Sequence, residues 1–469
     1  MKIKEIFGVD LRSLALFRMA LALLLIVELT DRATGLRTFY TDEGVLPRVA
    51  AIQFMSSWDV SLHMVSGALA MQAILISIQI LFAVLLFVGY RTRFATLMSW
   101  LLFNSLNNRN LIVIGGTGLV GLLLFWGIFV PLGARYSFDR TLGPPSQRSP
   151  DRVFSMGTAA LLLQFAFVFW FAAWAKLGSE EWRSGSALYY ALGLEQYTKP
   201  LGLIMRHLPA PFLIFLSRSA LLFEFVGPLL LFAPFFTPFF RLFTITAFFV
   251  FLLSIRLLME INLFTWTCTV ALLPFIPGEF WNRLFTKYKS LKSYLKPGSL
   301  TLRSSFLSNT FAALCLVYVF FSNIEGVTEK TFIPVSLRWV GDLLNLDQVW
   351  NMYVAVKIPS FWFVIPGRLK DGSEVDLLQE GRPLTWEKPK FFSSVFKSQP
   401  WSYSLLAMQS YKETFGPYFS WYFCREWNSH HQGGKQLEEL QVAGMYQDIL
   451  PHLQYGPPEQ VLLFNYKCF

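Results

Sequence analysis

Residues 154–175, FSMGTAALLLQFAFVFWFAAWA, run for 22 positions without a charge and stop at Lys176. A helix of about 20 apolar residues crosses the ~30 Å hydrocarbon core of a bilayer, so this stretch reads as a membrane span. Outward from it the same texture recurs. Comparable apolar segments lie near 13–30, 62–88, 94–106, 111–131, 212–234, 239–258, 262–277 and 305–322, the third and eighth of the nine being short. Charged residues make up 15% of the 469 and aromatic residues 17%. A water-facing surface for a chain of this size needs about 25% charge, which excludes an ordinary soluble enzyme. The basic start of residues 1–29 looks like a signal peptide. Arg18 and Glu28 break its apolar run and no small-residue cleavage site follows, so it is expected to be kept as the first helix.

The formal net charge of +10 is unevenly spread. Residues 1–322 hold 27 Lys and Arg against 15 Asp and Glu, whereas residues 323–469 hold 13 against 15. A nucleic-acid partner is therefore not implied, because the excess sits on loops between apolar helices. With the N-terminus inside, the inner segments carry 16 Lys and Arg and the outer ones nine. That bias favours a cytoplasmic N-terminus and an extracytoplasmic C-terminus.

After residue 322 the pattern changes. WFVIPGRLKDGSEVDLL (362–378) alternates around Asp371-Gly372, a hairpin signal, and helix-like patterns follow at 400–424 and 435–450. The expected fold is a mainly α membrane protein of about eight to nine transmembrane helices. A small mixed α/β or β-rich extracytoplasmic domain follows, with domains at 1–322 and 323–469. Cys268 and Cys315 fall in spans. Cys424 and Cys468 lie in the tail, where an oxidising compartment would let them pair.

Two motifs carry little. GTGLVG (116–121) matches a dinucleotide fingerprint but opens an apolar span rather than a βαβ helix, so its small residues suit helix packing. The five histidines have no metal-ligand spacing, and no metal site is expected. Polar groups at membrane depth say more, since each is costly there. Arg18 and Glu224 lie inside spans and Arg218 near the start of one; internal pairing, for example of Glu224 with an arginine, is the plain reading. Several polar residues gather at the outer ends of spans: Asp31, Arg32, Tyr40, Asp42, Asn107, Asn108, Arg109 and Lys176. They suggest a pocket open to the outer side. Lys176 closes an aromatic wall that includes Trp174, with Trp182 just beyond. An ammonium desolvated there becomes a candidate general base; the bland alternative is a lysine snorkelling to the headgroups.

At these residues the chain resembles the HTTM family, the membrane domain shared by vitamin K-dependent gamma-carboxylases and many bacterial proteins. The resemblance rests on DLRSLALFR (10–18), FYTDEGVLPR (39–48), AKLGSEEWRSG (175–185), INLF (261–264) with LPF (273–275) and FW (280–281), DQVWNMY (347–353) and KDG (370–372). It implies a lysine base at Lys176, a reduced quinone resembling vitamin K hydroquinone as cofactor, and a secreted peptide or protein as partner. The sequence departs from the carboxylases at Asn107-Asn108-Arg109, where they read Asn-Asn-His, and at Asn262, where a glycine is usual. The expectation is a carboxylase-like, carbon–carbon bond-forming enzyme in the bilayer. Its catalytic residue would be Lys176, with Asn107, Asn108, Arg109, Asp31, Arg32, Tyr40, Asp42, Trp174, Trp182 and Glu224 around the substrate. The alternatives are a non-catalytic membrane factor for maturation or export of a secreted peptide, and a transporter.

Overall fold

The computed structural model describes residues 2–113, 117–143, 151–286, 301–302, 305–389 and 399–469. Gly116 of the glycine motif, and Arg148, Lys287, Lys289, Lys292, Lys296 and Arg303 of the charge bias, lie outside the described residues. Among the described residues six helices are long and apolar enough to cross a membrane. In the order used here these belong to a set comprising α1 (Leu11–Thr34), α2 (Leu69–Val88), α3 (Thr92–Arg109), α4 (Gly118–Ile128), α5 (Met156–Leu177), α6 (Ala210–Leu231), α7 (Thr237–Leu258), α8 (Phe264–Leu272) and α9 (Phe306–Thr328). The six are α1, α2, α5, α6, α7 and α9. The expected count of eight to nine spans is not confirmed. α4 and α8 are short, and α3 ends in the polar run NSLNNR. The second span was also expected to start at 62, whereas residues 62–64 form a separate turn and α2 begins at Leu69. α9 runs past residue 322 to Thr328.

Local chemistry sets these ends. Ser155 and Thr158 form a reciprocal capping box that starts α5. α2 ends at Gly89, whose φ of 74° favours glycine and whose missing Cβ leaves room for the Arg18 guanidinium. Arg18, which broke the first apolar run in sequence, is fully buried in α1 and donates to Tyr136 O at 2.5 Å. In a lipid setting a buried cation must find acceptors inside the protein.

α5 is the central helix, packing against α4, α6, α8 and α9, and most of its length is buried. Phe165 and Phe169 meet Phe248 of α7 at 5.0 and 4.8 Å between ring centroids. Gln164, its one strongly polar interior residue, is closed off by Trp126 Nε1 and by an amide pair with Gln348 at 2.8 and 3.1 Å.

The tail contains one antiparallel sheet of β1 (Ser360–Val364), β2 (Pro366–Leu369), β3 (Glu374–Asp376), β4 (Arg382–Pro383), β5 (Leu437–Gln447) and β6 (Glu459–Lys467). β5 is the spine: β1 and β2 pair along one edge and β6 along the other. The Asp371-Gly372 signal is indeed the β2–β3 turn, with Gly372 at φ 83°. The helix expected at 435–450 is instead strand β5. Its pairing shifts at Arg368/Leu369 and again at Val442/Ala443, so Leu437 and Leu440 are both buried three residues apart and mimic a helical period. The other predicted helix is real and longer, α10 (Gln399–His430), with a break at Tyr411.

Tail and helices share one continuous core. Trp401 of α10 packs on Phe39, and Arg206 lies between the rings of Tyr189 and Tyr455 at 4.6 and 4.8 Å. Cys424 and Cys468 form a disulfide that ties α10 to the chain's last strand. Replacing both cysteines by alanine is expected to destabilise the tail by about 3 kcal/mol. Limited proteolysis of the full chain in detergent, with cleavage sites mapped to 399–469, checks this; unchanged protection would contradict it.

Candidate functional site

α5 delivers Lys176 at its last turn, where the helix C-terminus favours a cation. α6 packs against α5 and brings Glu224 to face it. Four residues on, Pro228 has no N–H to offer the Glu224 carbonyl, and the Trp170 indole instead donates to the neighbouring Phe225 carbonyl at 3.1 Å. Lys176 Nζ donates to both carboxylate oxygens of Glu224, at 2.5 and 2.7 Å, with both side chains buried. The ammonium also lies 4.8 Å from the centre of the Trp182 ring. Trp182 is held in turn by its indole N–H, which donates to Tyr353 O at 2.7 Å.

This cluster forms part of the wall of a cavity of about 790 Å³. The other walls are almost wholly apolar, including Phe169, Phe223 and the length of α7 from Phe243 to Leu258. Phe243, Val250 and Leu257 are each more than half exposed on the flank of the bundle. The cavity therefore opens sideways between helices, with the charged pair at the end of α7 opposite Phe243. The tail contributes Met352 and Tyr353 to the wall, and burial holds the Tyr353 phenol above its ordinary pKa, so it stays protonated. Of the polar span ends, Lys176 lines this cavity.

Several of the others build a second cluster beneath the loop of residues 39–60. Arg32 is clamped by Glu28 at 2.7 Å, Thr117 at 3.0 Å and Tyr40 at 3.4 Å, over the Phe103 ring. Arg109 is fully buried and donates to the carbonyls of Leu46 and Thr41. Asn108 donates to Val60 O, and Asn110 to Phe39 O. Asn107 is buried beside them in α3. Asp42 is gripped by the Arg48 guanidinium and backbone; partial burial pushes its carboxyl up, but those hydrogen bonds outweigh it and leave the pKa below the ordinary value. Asp31 is exposed at the end of α1. Trp174 is 44% exposed and stacks on Phe171.

Of the predicted site residues, then, Lys176, Trp182 and Glu224 come together. Asn107, Asn108, Arg109, Asp31, Arg32, Tyr40, Asp42 and Trp174 do not line that cavity. Of these, Asn108 and Arg109 donate to loop carbonyls. Glu224 does pair internally, though with a lysine rather than an arginine.

The HTTM domain family matches residues 8–281. The chain belongs to the HTTM family. No curated protein and no solved structure matches it. The matched region holds both polar clusters, while Met352 and Tyr353 of the HTTM cavity come from beyond it.

Sequence reasoning missed His63, which is fully buried and feels the charges of both arginines of the second cluster. Its Nδ1 bonds Gln72 Oε1 at 2.6 Å and its Nε2 bonds Gln79 Nε2 at 2.8 Å. The ring therefore donates from Nδ1 and accepts at Nε2 as a neutral imidazole. The two glutamines at a spacing of seven on one face of α2 were the available signal.

Two outcomes follow from these clusters. Lys176→Met and Glu224→Leu alone each strand a buried charge and are expected to cost about 3 kcal/mol. The double substitution is expected to recover most of that loss in a thermal-unfolding cycle, and additive losses would contradict the pair. Burial pushes His63 down to about 4, with Arg109 and Arg32 adding and Gln72 opposing. The unfolded chain then binds the extra proton below pH 6.5, so stability falls as pH drops from there toward 4. The loss between pH 7 and 5 is about 2 kcal/mol, and it should vanish in His63→Asn melts compared at the two pH values.

Proposed function

We propose that this HTTM protein is a carboxylase-like membrane enzyme that takes a reduced lipidic quinone into the side-opening cavity, with Lys176 as its base. One observation carries the reading: a lysine amine faces an aromatic ring and a single carboxylate on the wall of an otherwise apolar cavity. A ring with an apolar tail fits it. The tail would lie along α7 toward Phe243 while the hydroxyl-bearing head meets Lys176 Nζ and Trp182. Entry from the flank suits a ligand dissolved in the bilayer.

Proton transfer from Nζ to Glu224 leaves an uncharged amine beside an uncharged acid, a state that an apolar wall penalises less than it penalises separated charges. The amine then accepts a hydroxyl proton at Nζ, and Glu224 is the positioning residue that holds the nitrogen against the cavity. When bound, the reduced quinone would supply oxygen-driven basicity for carboxylation of a peptide glutamate. The chain's own residues bind the head, exclude water and hold the proton. We further propose a cytoplasmic N-terminus and an extracytoplasmic tail, supported by the Lys and Arg bias of the loops and by the Cys424–Cys468 disulfide, which belongs in an oxidising compartment.

A second reading, a non-catalytic factor for maturation or export of a secreted peptide, is favoured by one fact. Arg109 stands where the carboxylases have histidine, and its guanidinium is committed to loop carbonyls. Lys176→Arg separates the two. Arginine keeps the charge and the Glu224 partner but does not release its proton. In proteoliposomes supplied with a reduced naphthoquinone, a glutamate peptide and labelled bicarbonate, incorporation is expected to fall by about 100-fold or more, with expression and melting temperature retained. Undiminished incorporation by Lys176→Arg would overturn the base assignment. No incorporation by the parent protein would favour the maturation factor.

A further inference from the structure

The tail holds a second cavity, of about 270 Å³, that shares no lining residue with the Lys176 cavity. It lies between α10 and the turn after β3. Its floor is apolar, with Leu377 and Leu378 buried beneath it. Its walls are the rings of Trp401, Tyr422 and Trp427, and Trp427 is fixed on two sides. Its ring stacks on His431 at 4.1 Å, and it fills the space that a Cβ on Gly381 would need. Gly381 has φ 83°, so glycine is favoured there for the backbone conformation as well.

Glu380 and Glu426 bring carboxylates to this cavity, and its described lining residues include no lysine or arginine; His430 and His431 complete the rim. Among the described residues no hydrogen bond or ion pair engages the Glu426 carboxylate, although its side chain is only half-exposed. Aromatic walls with a carboxylate at the edge favour a cation: the rings attract it electrostatically and the carboxylate accepts its hydrogen bonds. The fold already holds one of its own arginines between aromatic rings. Arg206 sits between the Tyr189 and Tyr455 rings and donates to both hydroxyls.

We propose that the α10 cavity is a binding site for the arginine side chain of a peptide, the stem packing on Trp401 and Tyr422 and the guanidinium meeting Glu426. Guanidinium suits it better than an ammonium because it is planar, weakly hydrated and able to meet a carboxylate through two donors. A quaternary ammonium would leave Glu426 without a hydrogen bond. The site is independent of Lys176 and of any quinone.

The test is fluorescence anisotropy of a labelled Ala-Ala-Arg-Ala-Ala peptide on the full chain in detergent, without quinone. Saturable binding is expected, weakened about tenfold or more when arginine is replaced by its uncharged isostere citrulline. The same loss is expected in Glu426→Gln, a change of equal shape on a half-exposed position. The citrulline arm leaves the protein untouched, so the outcome does not depend on how a variant folds. Equal affinity for the citrulline peptide, no binding of the arginine peptide at millimolar concentration, or displacement by tetramethylammonium as readily as by free arginine amide would each overturn the proposal. Lys176→Arg should bind the peptide like the parent, so failure here and failure of the quinone reading are distinct results.

Discussion

Lys176 and Glu224 meet at 2.5 Å with both side chains buried, and this contact joins α5 to α6 at one end of the cavity. Each charge alone would be prohibitive at that depth. Together they fix how α5 lies against α6, and that in turn decides where the aromatic rings of α5 and α7 meet. Phe165, Phe169 and Phe223 all converge on Phe248 at 4.5–5.0 Å between centroids. The cavity is what remains where α7 is held off by those rings. Because the pair ends the cavity and apolar residues make up nearly all the rest, a ligand there is read by one amine, one ring and a shape.

The need of buried polar groups for partners also shapes the second cluster, although Arg109 Nε and the Oδ1 atoms of Asn107, Asn108 and Asn110 are buried there without one among the described residues. Arg32, Arg109, Asn108 and Asn110 supply donors to Glu28, Tyr40 and a row of loop carbonyls between 39 and 60. This is how an irregular loop is kept at a helix bundle's end. It also explains why a permanent cation is tolerated at Arg109: its two terminal nitrogens each find a carbonyl. His63 completes the arrangement while neutral, held by Gln72 and Gln79, and the positive charges of Arg109 and Arg32 disfavour its protonation.

The tail is bound into the membrane domain rather than hung from it. The 347–353 segment provides the amide that satisfies Gln164 in the middle of α5 and the carbonyl that orients Trp182. It then closes the cavity with Met352 and Tyr353. The HTTM region by itself therefore lacks one wall of its own cavity. α10, anchored by the disulfide and by Trp401 on Phe39, holds another part of the tail to the loop that follows α1.

What sequence alone determined is local and compositional. Scarce charge and runs such as 154–175 establish a membrane protein, because solvation of a span depends on its own residues. The Asp371-Gly372 turn is legible because turn chemistry acts over four residues. Lys176 stands out because an uncharged aromatic run leads into it. Span number was less legible, since α4 and α8 reach their places by packing rather than by length, and β5 was misread because bulges broke its alternation. Tertiary structure alone decided which charges pair. Lys176 and Glu224 are 48 residues apart, and Gln164 and Gln348 are 184 apart. No local pattern distinguishes a polar residue that lines a cavity from one that satisfies a loop carbonyl. That choice is made by whichever partner the packed helices bring within about 3 Å, and it divided one expected outer pocket into a side-opening cavity and a separate polar clamp.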